Sequence, residues 1–280
     1  MLSYRHLFHA GNFADVFKYA LLARLLIALG VKGKPYLFLD THAGTGRYDL
    51  SHEWAWKARE FENGIARLWE RRDIPPALAP YMDIVRAENP KGRLRYYPGS
   101  PLIALELRRP GGRLVFTELN KDDCAELETV VGRARNAGVH LMDGYHALTA
   151  FLPPAEKRGL VLLDSSFDRA REFPRIVKAL KEAHQRWATG VYAIWYPQME
   201  AAPMRDFARS VEKSGIRKIL RLELTVGGAG ETRHMRGCGM LVVNPPWKFD
   251  AEARPLLDWL AQALSQGAGG GSKVDWLVPE

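Results

Sequence analysis

Three carboxylates stand at the ends of short apolar runs, where a ligand site is easily built. The segment LDTHAGTGRYD (39–49) closes one such run at Asp40 and puts Gly44 and Gly46 in its turn. Glycine there lets the backbone take positive φ and approach a ligand closely. The turn is not a dinucleotide fingerprint, because the position three after Gly46 is Asp49 rather than Gly or Ala, and no acidic strand end follows about 20 residues on. It is not a phosphate loop either, since no Gly-Lys-Ser/Thr follows. An acidic strand end with a short glycine turn suits a ligand without a pyrophosphate. A nucleoside with a charged amino-acid tail, such as S-adenosylmethionine, is the natural candidate. Glu118 closes the next run, where a carboxylate can accept both ribose hydroxyls, and Asp143-Gly144 follows a third, where it can edge an adenine. Each alone reads equally well as a polar strand terminus. Three in strand-end order favour a cofactor site.

A fourth run, GLVLLD, ends at Asp164 and continues Ser165-Ser166-Phe167. Here the sequence resembles amino-group methyltransferases, whose motif after the fourth strand is [D/N]-P-P-[Y/F/W]. With YRHLFHAGNFADVFK near the start, the THAGTGRYDL turn, RYYPGSP (95–101) and WYP (195–197), it resembles one family from Tyr4 to the final WLVPE. That family is the bacterial 23S ribosomal RNA adenine-N6-methyltransferases known as RlmJ. The resemblance implies an α/β fold, a Rossmann-like class I methyltransferase sheet with an inserted helical subdomain, and S-adenosyl-L-methionine as cofactor. It implies cofactor contacts at Lys18, Tyr19, His42, Ser100, Glu118, Asp143, Gly144 and Asp164, alongside Gly44 of the turn. It makes Asp164 the catalytic residue as well and turns Tyr4 towards the RNA. The implied partner is 23S ribosomal RNA, naked or in an early assembly form, met by a monomer without metal or membrane.

Two positions depart from the family pattern. Tyr19 replaces the usual His after Lys18, and D-P-P-Y has become Asp164-Ser165-Ser166-Phe167. The chemistry says what must survive. An adenine amine is a weak nucleophile, and two acceptors on its N–H groups can aim the nitrogen at a sulfonium methyl through positioning and electrostatics. Asp164 supplies one acceptor, a backbone carbonyl of residue 165 or 166 can supply the other, and Phe167 keeps an aromatic face for the base. What is lost is the fixed φ of two prolines. An RNA-binding pseudo-enzyme and a DNA adenine methyltransferase are the competing readings. Asn244-Pro245-Pro246-Trp247 fits the bare motif better, yet it follows a later strand, away from the carboxylates, and reads as a rigid exit into a helix at 251–265.

The elements that must position these residues follow from pattern. Runs at 36–40, 113–119, 138–142, 159–164, 190–196, 217–224 and 239–244 are continuously apolar, as strands buried on both faces of a largely parallel sheet are. Segments such as 175–188 and 203–214 have helical spacing, giving a doubly wound β-α-β rhythm. The rhythm breaks once, between 40 and 113. Residues 48–98 are therefore read as an inserted helical subdomain, with 1–47 and 99–280 forming the sheet domain, since loops that long are rare. A glycine stretch leads into a short terminal strand.

Composition sets the wider bounds. The 280 residues are 47% hydrophobic and 26% charged, as in ordinary globular chains. No apolar run approaches the ~20 residues of a membrane span, and the N-terminal segment lacks the apolar stretch of a secretory signal. Two cysteines offer neither a disulfide framework nor a zinc ligand set, and Cys124 reads as a small apolar helix residue. A cytoplasmic protein is expected. The net charge of +8 suits nucleic acid or simple solubility alike. Arg205, Arg209 and Lys213 share one helix face; Arg67, Arg71 and Arg72 lie beside Trp69, and Lys91, Arg93 and Arg95 lead into Tyr96 and Tyr97. Basic residues interleaved with aromatics suit RNA, so the insert is the first choice for the RNA-facing wall.

Overall fold

Tyr36–Asp40 and Gly159–Leu163 are buried at every position, as strands covered on both faces must be. In the computed structural model, which describes residues 5–167, 172–198, 201–228 and 235–280, they lie side by side in a mixed sheet of eight strands. In chain order the elements begin with α1 (Phe13–Gly30), β1 (Tyr36–Asp40), β2 (Arg47–Asp49), α2 (Glu53–Ala58), α3 (Ala66–Trp69), α4 (Ala79–Ala87), β3 (Tyr96–Pro98) and α5 (Ser100–Leu107). Next come β4 (Gly112–Glu118), α6 (Lys121–Val131), β5 (Ala137–Leu141), α7 (Gly144–Phe151), β6 (Gly159–Leu163) and α8 (Glu172–Arg186). The chain then runs through β7 (Val191–Pro197), α9 (Ala201–Glu212), β8 (Ile219–Thr225), β9 (Gly237–Val243), α10 (Phe249–Ala263) and β10 (Gly271–Val278).

The sheet order is β10-β8-β9-β7-β6-β1-β4-β5. From β7 to β5 every pairing is parallel, while β9, β8 and β10 add antiparallel pairings at the other side. The carboxyl ends of β6, β1, β4 and β5 therefore line up along one edge, and the four strand-end acids with them. Alternation splits the core: Phe38, Phe116 and Leu162 face one layer, and Leu39, Val115 and Val161 face the other.

Three elements differ from the sequence reading. The N-terminal segment, left without an element there, forms α1, which is buried on nearly all sides and so shows no amphipathic stripe. The 138–142 run, read as buried, is the exposed edge strand β5, with Leu141 open to solvent. The terminal strand is long, not short: β10 pairs with β8 along Gly271–Val278. No helix among the described residues is long and apolar enough to cross a membrane.

Between β2 and β3, which pair antiparallel, the chain leaves the main sheet. The apolar residues of this excursion, among them Ile65, Leu68, Tyr81, Met82 and Tyr97, join the core layer of α1 rather than a core of their own. Gly64 makes the seam. A Cβ placed on it would lie 2.0 Å from the carbonyl oxygen of Gly11, and the Ile65 N–H donates to that same oxygen at 2.8 Å. Gly64→Ala is expected to cost about 1–3 kcal/mol through overpacking, read as a lower urea midpoint; an unchanged midpoint would mean the excursion is not seated so tightly on α1.

Candidate active site

α1 opens on an Asn12 cap, whose side chain accepts from the Asp15 N–H at 2.9 Å. One turn on, Lys18 is buried between two carboxylates: its Nζ lies 2.9 Å from Asp15 Oδ1 and 2.6 Å from Asp164 Oδ2. The other oxygen of Asp15 accepts from the Gly11 N–H at 3.0 Å and meets His6 Nε2 at 3.0 Å. Burial disfavours ionised Asp15, but His6 and Lys18 outweigh it and hold the carboxyl well below its usual range. Burial likewise opposes the Lys18 ammonium, and Asp15 and Asp164 overcome it, so Lys18 stays charged. The ammonium also sits over aromatic rings, 4.6 Å from Tyr19 and 5.5 Å from Trp195.

Beside Asp164 runs the glycine turn. Gly44 and Gly46 have φ of +61° and +77°, where glycine alone is unstrained. The Gly44 N–H donates to Glu118 Oε2 at 3.0 Å and the Asn120 N–H to Oε1 at 2.7 Å, so backbone fixes the carboxylate at the tip of β4. Burial pushes Glu118 up. Gly144 is required too, since a Cβ there would meet the Thr41 carbonyl oxygen at 2.0 Å. Asp40, fully buried at the end of β1, accepts from the His42 N–H at 3.3 Å, and its Oδ2 has no partner of normal geometry. Burial pushes its carboxyl up to about 7, partly offset by the Ser100 hydroxyl and reinforced by Asp164.

These groups surround a cleft of about 720 Å³, within the range of small-molecule sites. Lys18, Tyr19, His42, Gly44, Glu118, Gly144, Asp164 and Phe167 all reach it. Two expected contacts stand off its wall. Ser100 is buried at the start of α5 against Asp40, and the Asp143 carboxylate caps α7 (2.8 Å from the Tyr145 nitrogen) while taking Arg175 Nη2 at 2.8 Å. Tyr4 lies outside the described residues. Asn244-Pro245-Pro246-Trp247 is remote: β9 runs antiparallel to β7, so it ends opposite the carboxylates, where Asn244 Nδ2 donates to the carbonyls of Ala188 and Gly190.

The cleft fits a nucleoside with a cationic tail. Glycines leave room beside the turn, and the carboxylates of Glu118 and Asp164 offer acceptors. Among the described cleft residues, Lys18 is held by two acids, and no Lys or Arg stands in the turn segment 41–44 to neutralise a pyrophosphate.

The profile of a family described as "Ribosomal RNA large subunit methyltransferase D, RlmJ" matches residues 33–278. The chain belongs to this family. It is 42% identical to the Ribosomal RNA large subunit methyltransferase J of Escherichia coli (strain K12) over 280 residues, covering all of both chains. The protein of the same name from Haemophilus influenzae is 41% identical over 281 residues, again at full coverage. A crystal structure of a Legionella pneumophila protein superposes with a TM-score of 0.89 at 35% identity, covering 96% of this chain and 98% of that one. The fold is thus a Rossmann-like class I methyltransferase sheet, the protein is a methyltransferase enzyme, and S-adenosylmethionine is its methyl donor.

Residue pattern missed several members of the site. Asp15 precedes Lys18 by one helical turn, a spacing that pairs opposite charges on a helix face and was readable as such. Tyr145, Glu172 and Arg175, which back the cleft rather than line it, carried no such signal, because their contacts join separate elements. Three of the insert's basic residues have partners within the protein: Arg67 bonds Asn63 and the Ser265 carbonyl, Arg71 pairs with Asp73 and lies over Trp259, and Arg95 forks onto Asp49.

Asp40 yields a pH prediction. An acid with a folded pKa of about 7, against 3.8 in its ordinary state, stays protonated in the native protein while the unfolded chain ionises. Its contribution to stability is therefore complete below about pH 4 and is lost as pH rises towards 7, by on the order of a few kcal/mol. Denaturation at several pH values should show Asp40→Asn gaining on wild type across that window; parallel curves would refute the assignment.

Proposed function

We propose that Asp164 and Phe167 present an adenine of 23S ribosomal RNA for methylation at N6, on RNA that is naked or early in assembly. The pairing of Lys18 with Asp164 carries this reading. Lys18 occupies Oδ2 and fixes the carboxylate, which leaves Oδ1 as an acceptor for one N–H of the amine. The backbone carbonyl after Asp164 accepts the other, so the nitrogen lone pair turns out of the ring plane and towards the methyl. S-adenosylmethionine, when bound, supplies that methyl on an electrophilic sulfonium. Glu118 accepts from the ribose, Gly144 with Asp143 at the rim borders the adenine of the cofactor, and Ser100 acts through Asp40. His42 and Tyr19 close the pocket beside them, and Tyr4 meets the RNA.

Phe167 stacks on the target base, which must leave its helix to reach the cleft. Exposed Lys91 and Arg93, in an insert spanning 48–98, support an RNA-facing wall there, as do exposed Arg205 and Arg209 on α9. The enzyme works as a monomer in the cytoplasm.

Labelled methyl transfer tests the reading on three substrates: unmodified ribosomal RNA, duplex DNA and assembled large subunits. Incorporation is expected in the naked RNA, at N6 of adenine by mass spectrometry. Asp164→Asn should lower that rate about 10²–10³-fold while the protein stays folded by circular dichroism; full activity would overturn the site. Phe167→Ala should lower kcat/KM by roughly 5- to 100-fold, the equivalent of one lost stacking contact.

A further inference from the structure

Ser165 and Ser166 leave the link between the proposed acceptor and the proposed stacking ring without backbone restraint. Elsewhere the chain uses Pro245-Pro246 to stiffen a strand exit, with φ fixed at each ring. Here the Ser165 hydroxyl is buried, makes no hydrogen bond of full geometry, and lies beside the Tyr145 hydroxyl. Asp164 is held by Lys18, but nothing in its own backbone holds Phe167.

The hold comes from α8. The Phe167 ring packs 5.0 Å from Phe173, and Trp195 meets it edge-on at 5.7 Å. Phe173 is the second residue of α8; the first, Glu172, is buried and takes a hydrogen bond from the Tyr145 hydroxyl of α7. A buried carboxyl without a donor is costly, so this bond fixes Glu172, and Phe173 next to it, against α7. Tyr145 is itself fixed, with its ring against His42 at 5.5 Å in the cleft and the Arg175 guanidinium 4.0 Å over its face.

We propose that Tyr145 and Glu172 are positioning residues for base presentation: their bond anchors the first turn of α8, and Phe173 there holds Phe167 in place of the missing proline restraint. The proposal rests on the reading that Phe167 meets the target base. It also joins the two halves of the site, because Tyr145 borders His42 on the cofactor side and acts on Phe167 on the base side.

Tyr145→Phe keeps the ring and its contacts but removes the hydroxyl. Chymotrypsin cleavage after Phe167 reports release of that ring without requiring activity, because cleavage follows the population of the opened state. Tyr145→Phe is expected to raise this cleavage about ten-fold and to lower kcat on naked ribosomal RNA by a similar factor, with KM for the RNA changed less than about two-fold. Put into Ser165→Pro/Ser166→Pro, where the backbone supplies the restraint, the same substitution should change both readouts by no more than about two-fold; Ser165→Ala, which removes only the hydroxyl beside Tyr145, should leave cleavage within about two-fold of wild type, and a rise matching that of Tyr145→Phe would overturn the route through Glu172. Equal effects in the two backgrounds, or unchanged cleavage in the first, would overturn the proposal.

Should the double-proline protein not fold, Glu172 supplies the second arm. Glu172→Leu is expected to match Tyr145→Phe, and the pair together to be no worse than either, while Glu172→Gln, which still accepts, restores most of the effect. Additive losses would overturn it. A wild-type protein that transfers no methyl would defeat the methylation reading, and the cleavage series would still decide the clamp.

Discussion

A lysine ammonium buried between two carboxylates fixes the relation of α1 to β6, and much of the molecule is arranged so that this charge stays satisfied. Lys18 reaches back to Asp15 on its own helix and across to Asp164 beyond β6. Breaking a buried pair by removing one partner typically costs about 3–5 kcal/mol, because the survivor is left charged and dry. Asp15 is secured in turn by the Gly11 N–H and His6, and Gly11 is the residue on which Gly64 of the insert sits. Helix, insert and the end of β6 thus share one set of constraints. A shift of α1 would strand a charge at one end of the chain of contacts and open the Gly11–Gly64 seam at the other.

The parts of this arrangement differ in how far local pattern reveals them. Strand-end acids were readable because continuous apolar runs mark covered strands, and a parallel sheet then lines up their carboxyl ends; Asp40, Glu118 and Asp164 follow from that alone. Asp143 was placed at the right strand end, but its carboxylate is occupied by the α7 N–H groups and Arg175, which no spacing announces. α1 escaped notice for a physical reason: a helix buried on nearly every side has no polar face to create a period. β5 escaped in the opposite way, since an edge strand exposes residues that its apolar composition suggests are covered. The insert's arginines show the limit of reading charge. Arg67 and Arg71 look free in sequence, and both are spent docking the insert near Ser265 and Trp259 at the other end of the chain.

Charge is also distributed against the net figure. The protein carries +8, yet acids outnumber bases on its cleft wall: Asp15, Glu60, Glu118, Asp123 and Asp164 stand against Lys18, Arg59 and Arg236. Such a cleft suits a ligand that donates hydrogen bonds and carries positive charge. Positive charge belongs outside, where it lowers the cost of bringing a polyanion near an acidic pocket. Separating the two signs lets one molecule attract a polyanion and still hold a cation.

Rigidity in the motif loop follows the same preference for tertiary over local restraint. A Pro-Pro step stiffens a loop whatever surrounds it, because the restraint lies in the ring. In Ser165-Ser166 it must come from neighbours, here the aromatic packing of Phe167 on Phe173 and Trp195 and the buried Glu172 behind them. Restraint of that kind depends on every intervening contact, so it reaches residues that never touch either ligand. It also makes the order of the loop answer to the neighbouring pocket: Tyr145 bonds Glu172 with its hydroxyl and presents its ring to His42 in the cleft. A loop stiffened by prolines would be indifferent to that pocket, whereas this one is tied to it by a single hydroxyl.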